Sequence, residues 1–81
     1  MHYYVYLVRS LKNPKRTYIG HTDNFQERLQ THNSGGSIYT VLDRPWEPIL
    51  VLRFKDKLKA TAFEKYLKSA SGNAFAKKRF W

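Results

Sequence analysis

Tyr3-Tyr4-Val5-Tyr6-Leu7-Val8 and, a few residues on, Arg16-Thr17-Tyr18-Ile19-Gly20 are the stretches on which the fold turns. Both are dense in aromatic and β-branched side chains, the composition of strands. Alternation sends Tyr4, Tyr6 and Val8 to one face of the first strand and Tyr3, Val5 and Leu7 to the other. Neither face is polar, so this strand is expected to be covered on both sides. Between the two runs, Asn13-Pro14 marks a turn. The pair therefore reads as a hairpin whose loop is too long for a two-residue turn.

After the hairpin, Thr22, Asp23 and Asn24 are all good helix caps, and Asp23 is followed three residues later by Gln26. A helix is predicted from about Asn24 to His32, ended by Asn33-Ser34-Gly35-Gly36. Its Phe25, Arg28, Leu29 and His32 fall within one arc, which makes Arg28 and His32 neighbours beside an apolar pair. Ser37 to Pro48 reads as a loop. Ile49 to Phe54 reads as a third strand, and as the buried central one. Lys57 to Ala70 is predicted helical, with Phe63, Tyr66, Leu67 and Ala70 as its core stripe and Glu64 on the shoulder. Ser69 to Asn73 reads as a break before a short terminal helix, Ala74 to Trp81, that carries Lys77-Lys78-Arg79. The order β-β-α-β-α-α gives an α+β fold: a small antiparallel three-stranded sheet flanked by helices, one domain over residues 1–81.

Composition narrows the function. The chain has 81 residues and no cysteine, which excludes disulfide scaffolds, cysteine-ligated zinc, iron–sulfur clusters and thiol nucleophiles, and fits a reducing, cytoplasmic setting. Stability must come from packing, and two Trp, six Tyr and five Phe are available for it. No apolar run approaches a membrane span, and no signal peptide is evident. Fifteen Lys and Arg against six Asp and Glu give a net charge of +9. Eight of those fifteen lie from Lys55 onward. Such an excess points to a polyanionic partner, nucleic acid before anionic membrane.

Tyr6 and Tyr18 on adjoining strands, Arg28 and His32 on a helix, and Glu64 on a later helix are the raw parts of a phosphodiesterase. Water must be deprotonated, the phosphate held and the developing charge neutralised. A tyrosine base needs its pKa brought down from about 10 towards 7.5. Arginine matches phosphate with paired donors. A single carboxylate can hold one hydrated Mg²⁺. Each part also has a plain structural use; Glu64, for example, is spaced to pair with Lys68.

In that order, the motifs resemble the GIY-YIG endonucleases. Tyr4-Val5-Tyr6 and Tyr18-Ile19-Gly20 look like the paired motif, with Tyr4 and Val5 departing from its Gly and Ile. Thr22-Asp23-Asn24-Phe25 through Arg28, Leu29 and His32 resembles the family helix, and Ala60 with Glu64 the metal-binding helix. The likeness covers nearly the whole chain and is nearest to small stand-alone members related to the nuclease domain of the excision-repair excinuclease. It implies that one of Tyr6 and Tyr18 is the general base and the other orients water or phosphate. Gly20 would let the backbone turn tightly into the helix. Arg28 would contact the scissile phosphate, and His32 would support the base or the phosphate. Glu64 would be the sole protein ligand of one divalent metal, Mg²⁺ or Mn²⁺. His21 stands where excinuclease-like members often carry Lys, and Asn73 is a candidate for a late site Asn. Tyr39, in a Tyr39-Thr40 pair, would line the substrate surface or simply pack the loop. Separately, the basic excess from Lys55 onward places Lys77, Lys78 and Arg79 among the residues expected to contact nucleic acid. DNA is the favoured substrate with RNA second. The rival reading is a binding module that does not cut, or a subunit that needs a partner protein for targeting.

Overall fold

The computed structural model describes residues 2–81. The elements are β1 (Tyr3–Ser10), β2 (Thr17–Thr22), α1 (Phe25–Ser34), a single 3₁₀ turn (Val41–Asp43), β3 (Trp46–Phe54), α2 (Lys57–Leu67) and α3 (Ala70–Arg79). The order is the expected β-β-α-β-α-α, and the three strands form one antiparallel sheet.

The central strand is β1, not β3: the sheet order is β2-β1-β3. Val5 through Val8 are all fully buried, whereas β3 exposes Glu47, Pro48, Val51 and Arg53. An edge also suits Pro48, which has no N–H to donate. Leu7 stands opposite Leu50 and Val8 opposite Pro48, so Ile49 is an extra residue bulged out of the β1–β3 ladder. The expected loop to Pro48 is shorter than its prolines suggest, because β3 already begins at Trp46.

The alternation along β1 sorts two cores. On one face Val5 and Leu7 pack with Ala60, Leu67 and Ala76 of α2 and α3. On the other, Tyr6 and Val8 pack with Trp46, Tyr18 and the α1 residues Phe25 and Leu29. Phe80 and Trp81 are half-buried against the first core.

Helix ends follow local chemistry. Asn24, rather than Asp23, caps α1 by accepting from the Glu27 N–H at 3.1 Å. Asp56 caps α2 by accepting from the Leu58 N–H at 2.8 Å. The predicted break at Ser69–Asn73 is instead the start of α3: Ser69 caps it by accepting from the Gly72 N–H at 3.2 Å. Gly72 is there for proximity, since a Cβ would overlap the Tyr66 carbonyl. Ala70 therefore leaves the α2 stripe, and Tyr66, 41% exposed, stacks on Phe63 instead of entering the core.

Candidate active site

Strand register sets the tyrosines. Tyr6 stands opposite Gly20 and Tyr18 opposite Val8, so both phenols project diagonally from the α1 face, with ring centroids 6.3 Å apart. Gly20 does not turn the chain as the family likeness implies; it lies within β2 without positive φ. Its function is clearance. A Cβ there would come within 2.5 Å of the Tyr6 hydroxyl and 2.7 Å of its Cζ, so the bare backbone makes room for the ring.

One helical face of α1 meets them. Phe25 and Leu29 anchor it to the core, and the Phe25 ring centroid lies 5.4 Å from that of Tyr6. That anchoring brings Arg28 Nε to 3.4 Å from the Tyr6 hydroxyl, to which it donates. One turn later His32 Nε2 lies 2.9 Å from the same oxygen. The far ring nitrogen of His32, Nδ1, lies 2.7 Å from Thr40 Oγ1. The Trp46 indole N–H in turn donates to the Thr40 carbonyl at 2.9 Å. Tyr6, His32 and Thr40 are all buried. A phenol is a better donor than an alcohol, so Tyr6 donates to Nε2 and His32 carries its proton on Nδ1, towards Thr40.

The electrostatics follow from this burial. Desolvation raises the Tyr6 phenol above its ordinary 10, outweighing the lowering by the Arg28 hydrogen bond. Burial first, and the Arg28 charge second, push His32 below its usual 6.5. Arg28 is held in its charged form chiefly by the Tyr6 bond, with Tyr18 adding to it. At neutral pH the cluster is thus a protonated Tyr6, a neutral His32 and a cationic Arg28. The Tyr6 shift runs upward, away from the lowering that a base at this position needs.

Glu64 lies round the edge of β2, on the α2 side. Its side chain is 15% exposed, and it binds His21 Nδ1 at 2.6 Å and Lys68 Nζ at 3.1 Å. His21 stands opposite Val5 and so belongs to the α2 face. Lys68 Nζ also sits 5.9 Å from the centroid of the Tyr18 ring, and the His32 ring is 5.1 Å from Tyr18 on an edge-on contact. Tyr18 therefore joins the two halves, with the α1 cluster on one side and the Glu64 cluster on the other. Among the described residues no three His, Asp or Glu side chains converge. A hydrated Mg²⁺ or Mn²⁺ keeps several waters and needs only one or two carboxylates. Glu64, a hard oxygen donor with a second lone pair on each oxygen, fits such an ion.

The remaining candidates stand apart. Tyr39 is 75% exposed; it is its neighbour Thr40 that reaches His32. Sequence reading missed Thr40, although the Tyr39-Thr40 pair was its only local signal. Asn73 lies in the first turn of α3 and Lys77 in the last, where both line a shallow groove with Arg9, Lys15, Thr17 and Trp81. Lys78 and Arg79 are exposed at the end of α3. None of these makes a side-chain hydrogen bond to the tyrosines, Arg28, His32 or Glu64 among the described residues.

The site thus joins an antiparallel sheet with two diagonal tyrosines, an arginine and a histidine on the first helix, and a carboxylate on the second, the parts expected of a phosphodiester site. Residues 2–79 match the GIY-YIG catalytic domain, and the chain belongs to that family. It is 48% identical over 69 residues to structure-specific endonuclease subunit SLX1 of Debaryomyces hansenii, covering 76% of this chain and 20% of that protein. It is 42% identical over 66 residues to the protein of the same name from Malassezia globosa, covering 76% of this chain and 15% of that one. The chain thus spans about a fifth of the length of these relatives. UPF0213 protein YazA of Bacillus subtilis is 36% identical over 67 residues, covering 82% of this chain and 66% of YazA. The solution structure of a UPF0213 protein from Bacillus halodurans superposes with a TM-score of 0.57 at 26% identity, covering 96% of this chain and 84% of that one. The match over residues 2–79 makes this chain a GIY-YIG catalytic domain, similar in sequence to part of the SLX1 subunits.

Proposed function

We propose that residues 1–81 form one nuclease domain that hydrolyses nucleic-acid phosphodiester bonds, with DNA the favoured substrate and RNA second. The observation that carries this reading is the convergence of Tyr18, Tyr6, Arg28 and His32 on one sheet face, with Glu64 reaching it through Lys68. Tyr6 has no exposed surface and a tightly held proton; Tyr18 is half-buried and open to water. Tyr18 is accordingly the water-facing phenol, and Tyr6, itself bonded to His32, holds Arg28 in place. Water adds to phosphorus with Tyr18 as the general base that takes its proton, and the bond to the leaving oxygen breaks. Arg28 grips the phosphate with two donors of its planar fork. A divalent ion on Glu64 would supply positive charge to the phosphate and leaving oxygens. The nearer likeness to the excision-repair excinuclease rests on the quoted motifs alone. The word "subunit" in the SLX1 names supports a protein partner for targeting.

The test is cleavage of branched, single-stranded and duplex substrates with Mg²⁺, Mn²⁺ or EDTA. Tyr18→Phe should lower the rate by about 10²–10⁴-fold, the usual worth of general acid–base catalysis. Glu64→Gln should abolish metal-dependent cleavage, and Arg28→Lys should act nearly as badly as Arg28→Ala. Undiminished cleavage by Glu64→Gln would remove the metal-ligand assignment. A second reading, a binding module that does not cut, is favoured by the closed pairing of Glu64 with His21 and Lys68. Salt-dependent binding without cleavage by the wild-type chain in any metal would establish it.

A further inference from the structure

On the opposite side of the sheet from Tyr6, Arg9, Lys15, Thr17, Asn73, Lys77 and Trp81 line a shallow groove. Three of them carry cationic side chains and none carries a carboxylate side chain. Arg9 is held in place: its Nη2 donates to the Trp81 carbonyl at 3.0 Å, and its guanidinium lies 5.6 Å from the centroid of the Trp81 ring. Its Nε–H is buried and has no hydrogen-bond partner. Glu47 stands opposite Arg9 in the β1–β3 ladder, yet the two form no ion pair among the described residues. The guanidinium fixed in this way places its charge at the groove beside two lysines, with no side-chain carboxylate to neutralise it. With a hydroxyl and an amide alongside, these groups match an anionic oxygen ligand.

We propose that this groove is a second phosphodiester site, which holds the nucleic-acid backbone on the far side of β2 from the tyrosines. The connection is the strand itself. Thr17 and Tyr18 are consecutive residues of an edge strand and face opposite sides of it. A chain seated at Tyr18 and at Thr17 wraps round that edge and passes Lys68 on the way. A single straight duplex laid against one face would leave the groove empty, so a flexible or branched nucleic acid suits both sites. The inference rests on the nucleic-acid reading above, but it is read by binding, without cleavage.

The experiment is a titration of the ¹⁵N-labelled chain in EDTA with a short single-stranded oligodeoxynucleotide, with polyglutamate as the control polyanion. The oligonucleotide should shift the Trp81 indole N–H and the Thr17, Asn73 and Lys77 amides. The double variant Lys15→Glu/Lys77→Glu should bind it on the order of tenfold more weakly, and its salt slope on that single strand should fall by about 1.4 for two lost phosphate contacts. Lys15→Gln/Lys77→Gln, which adds no new charge, should move the same way by less. Shifts confined to the Tyr18 and Arg28 side, with wild-type affinity in both double variants, would overturn the proposal. Equal affinity and equal shifts with polyglutamate would overturn the phosphodiester assignment. Groove shifts in a chain that cuts nothing would end the nuclease reading and leave this site standing.

Discussion

The two faces of β1 are built on different principles. The α2–α3 face is sealed with aliphatic and small side chains: Val5, Leu7, Ala60, Leu67 and Ala76, all fully buried. The α1 face buries Tyr6, His32 and Thr40, polar groups that need partners and find them in one another. Apolar burial is non-directional and tolerant, while a buried polar network holds only if each member is matched. In an 81-residue chain the first face secures the fold, and that allows the second to hold reactive groups in fixed positions.

Leu67→Ala should have the largest effect on stability. Deleting a fully buried leucine costs about 2–5 kcal/mol, which thermal or urea unfolding would read directly. A cost below that of the α1-face changes would break the contrast. Next comes Gly20→Ala, where crowding of the Tyr6 ring should cost about 1–3 kcal/mol. The Tyr6–His32 hydrogen bond should be lost with it, seen as a changed His32 ring signal in NMR. Thr40→Val keeps the shape but strands His32 Nδ1, at about 1–2 kcal/mol, and Thr40→Ser should restore most of it. If Val is as stable as Thr, His32 does not depend on this bond.

The pH response sharpens the contrast further. His32 is depressed below 6.5 in the folded chain, so below that value the unfolded chain binds more protons. Stability should therefore fall as pH drops through 6.5 towards the folded pKa, and His32→Gln should remove part of that loss. Tyr6 is raised above 10, so above pH 10 the unfolded chain loses its proton first and stability should fall again. An absorbance titration comparing wild type with Tyr6→Phe would show whether Tyr6 ionises late. The smallest change should be Glu64→Gln, a pairing worth about 0.2–1 kcal/mol. A larger loss of stability would make Glu64 a structural residue before anything else.

How much of this was legible follows from where each signal is encoded. The faces of β1 could be read because alternation is local and both sides were apolar or aromatic. Tyr6, Tyr18, Arg28 and His32 were legible because hairpin pairing and helical spacing bring them together within a short segment. The position of β3 was not, since Ile49-Leu50-Val51-Leu52 looks central until Pro48 and the bulge at Ile49 place it at the edge. The α2–α3 junction was misread because Ser69-Ala70-Ser71-Gly72-Asn73 has the composition of a loop. Its serine is a cap, and its glycine is there for a close approach that only the fold creates. Thr40 was out of reach because the loop over residues 35–39, which brings it back to His32 eight residues earlier, has no periodicity to place it. The fall in the His32 pKa and the rise in that of Tyr6 depend on burial, which residue spacing does not report.

The sheet order also bears on how the chain acquires its shape. β1 meets β2 across a short hairpin, but it meets β3 only by pairing residues as distant as Tyr3 and Phe54. Closing the short loop costs less chain entropy than closing the long one, so the hairpin is the natural place for structure to start. Of the five candidate catalytic residues, Tyr6 and Tyr18 lie in that hairpin and Arg28 and His32 on the helix that directly follows it, whereas Trp46 and Thr40 arrive with β3 and its connection. The reactive cluster is therefore expected to be gathered before it is sealed. In refolding kinetics, a Val8→Ala change at the hairpin should slow folding more than an Ala76→Gly change in α3, which should mainly hasten unfolding.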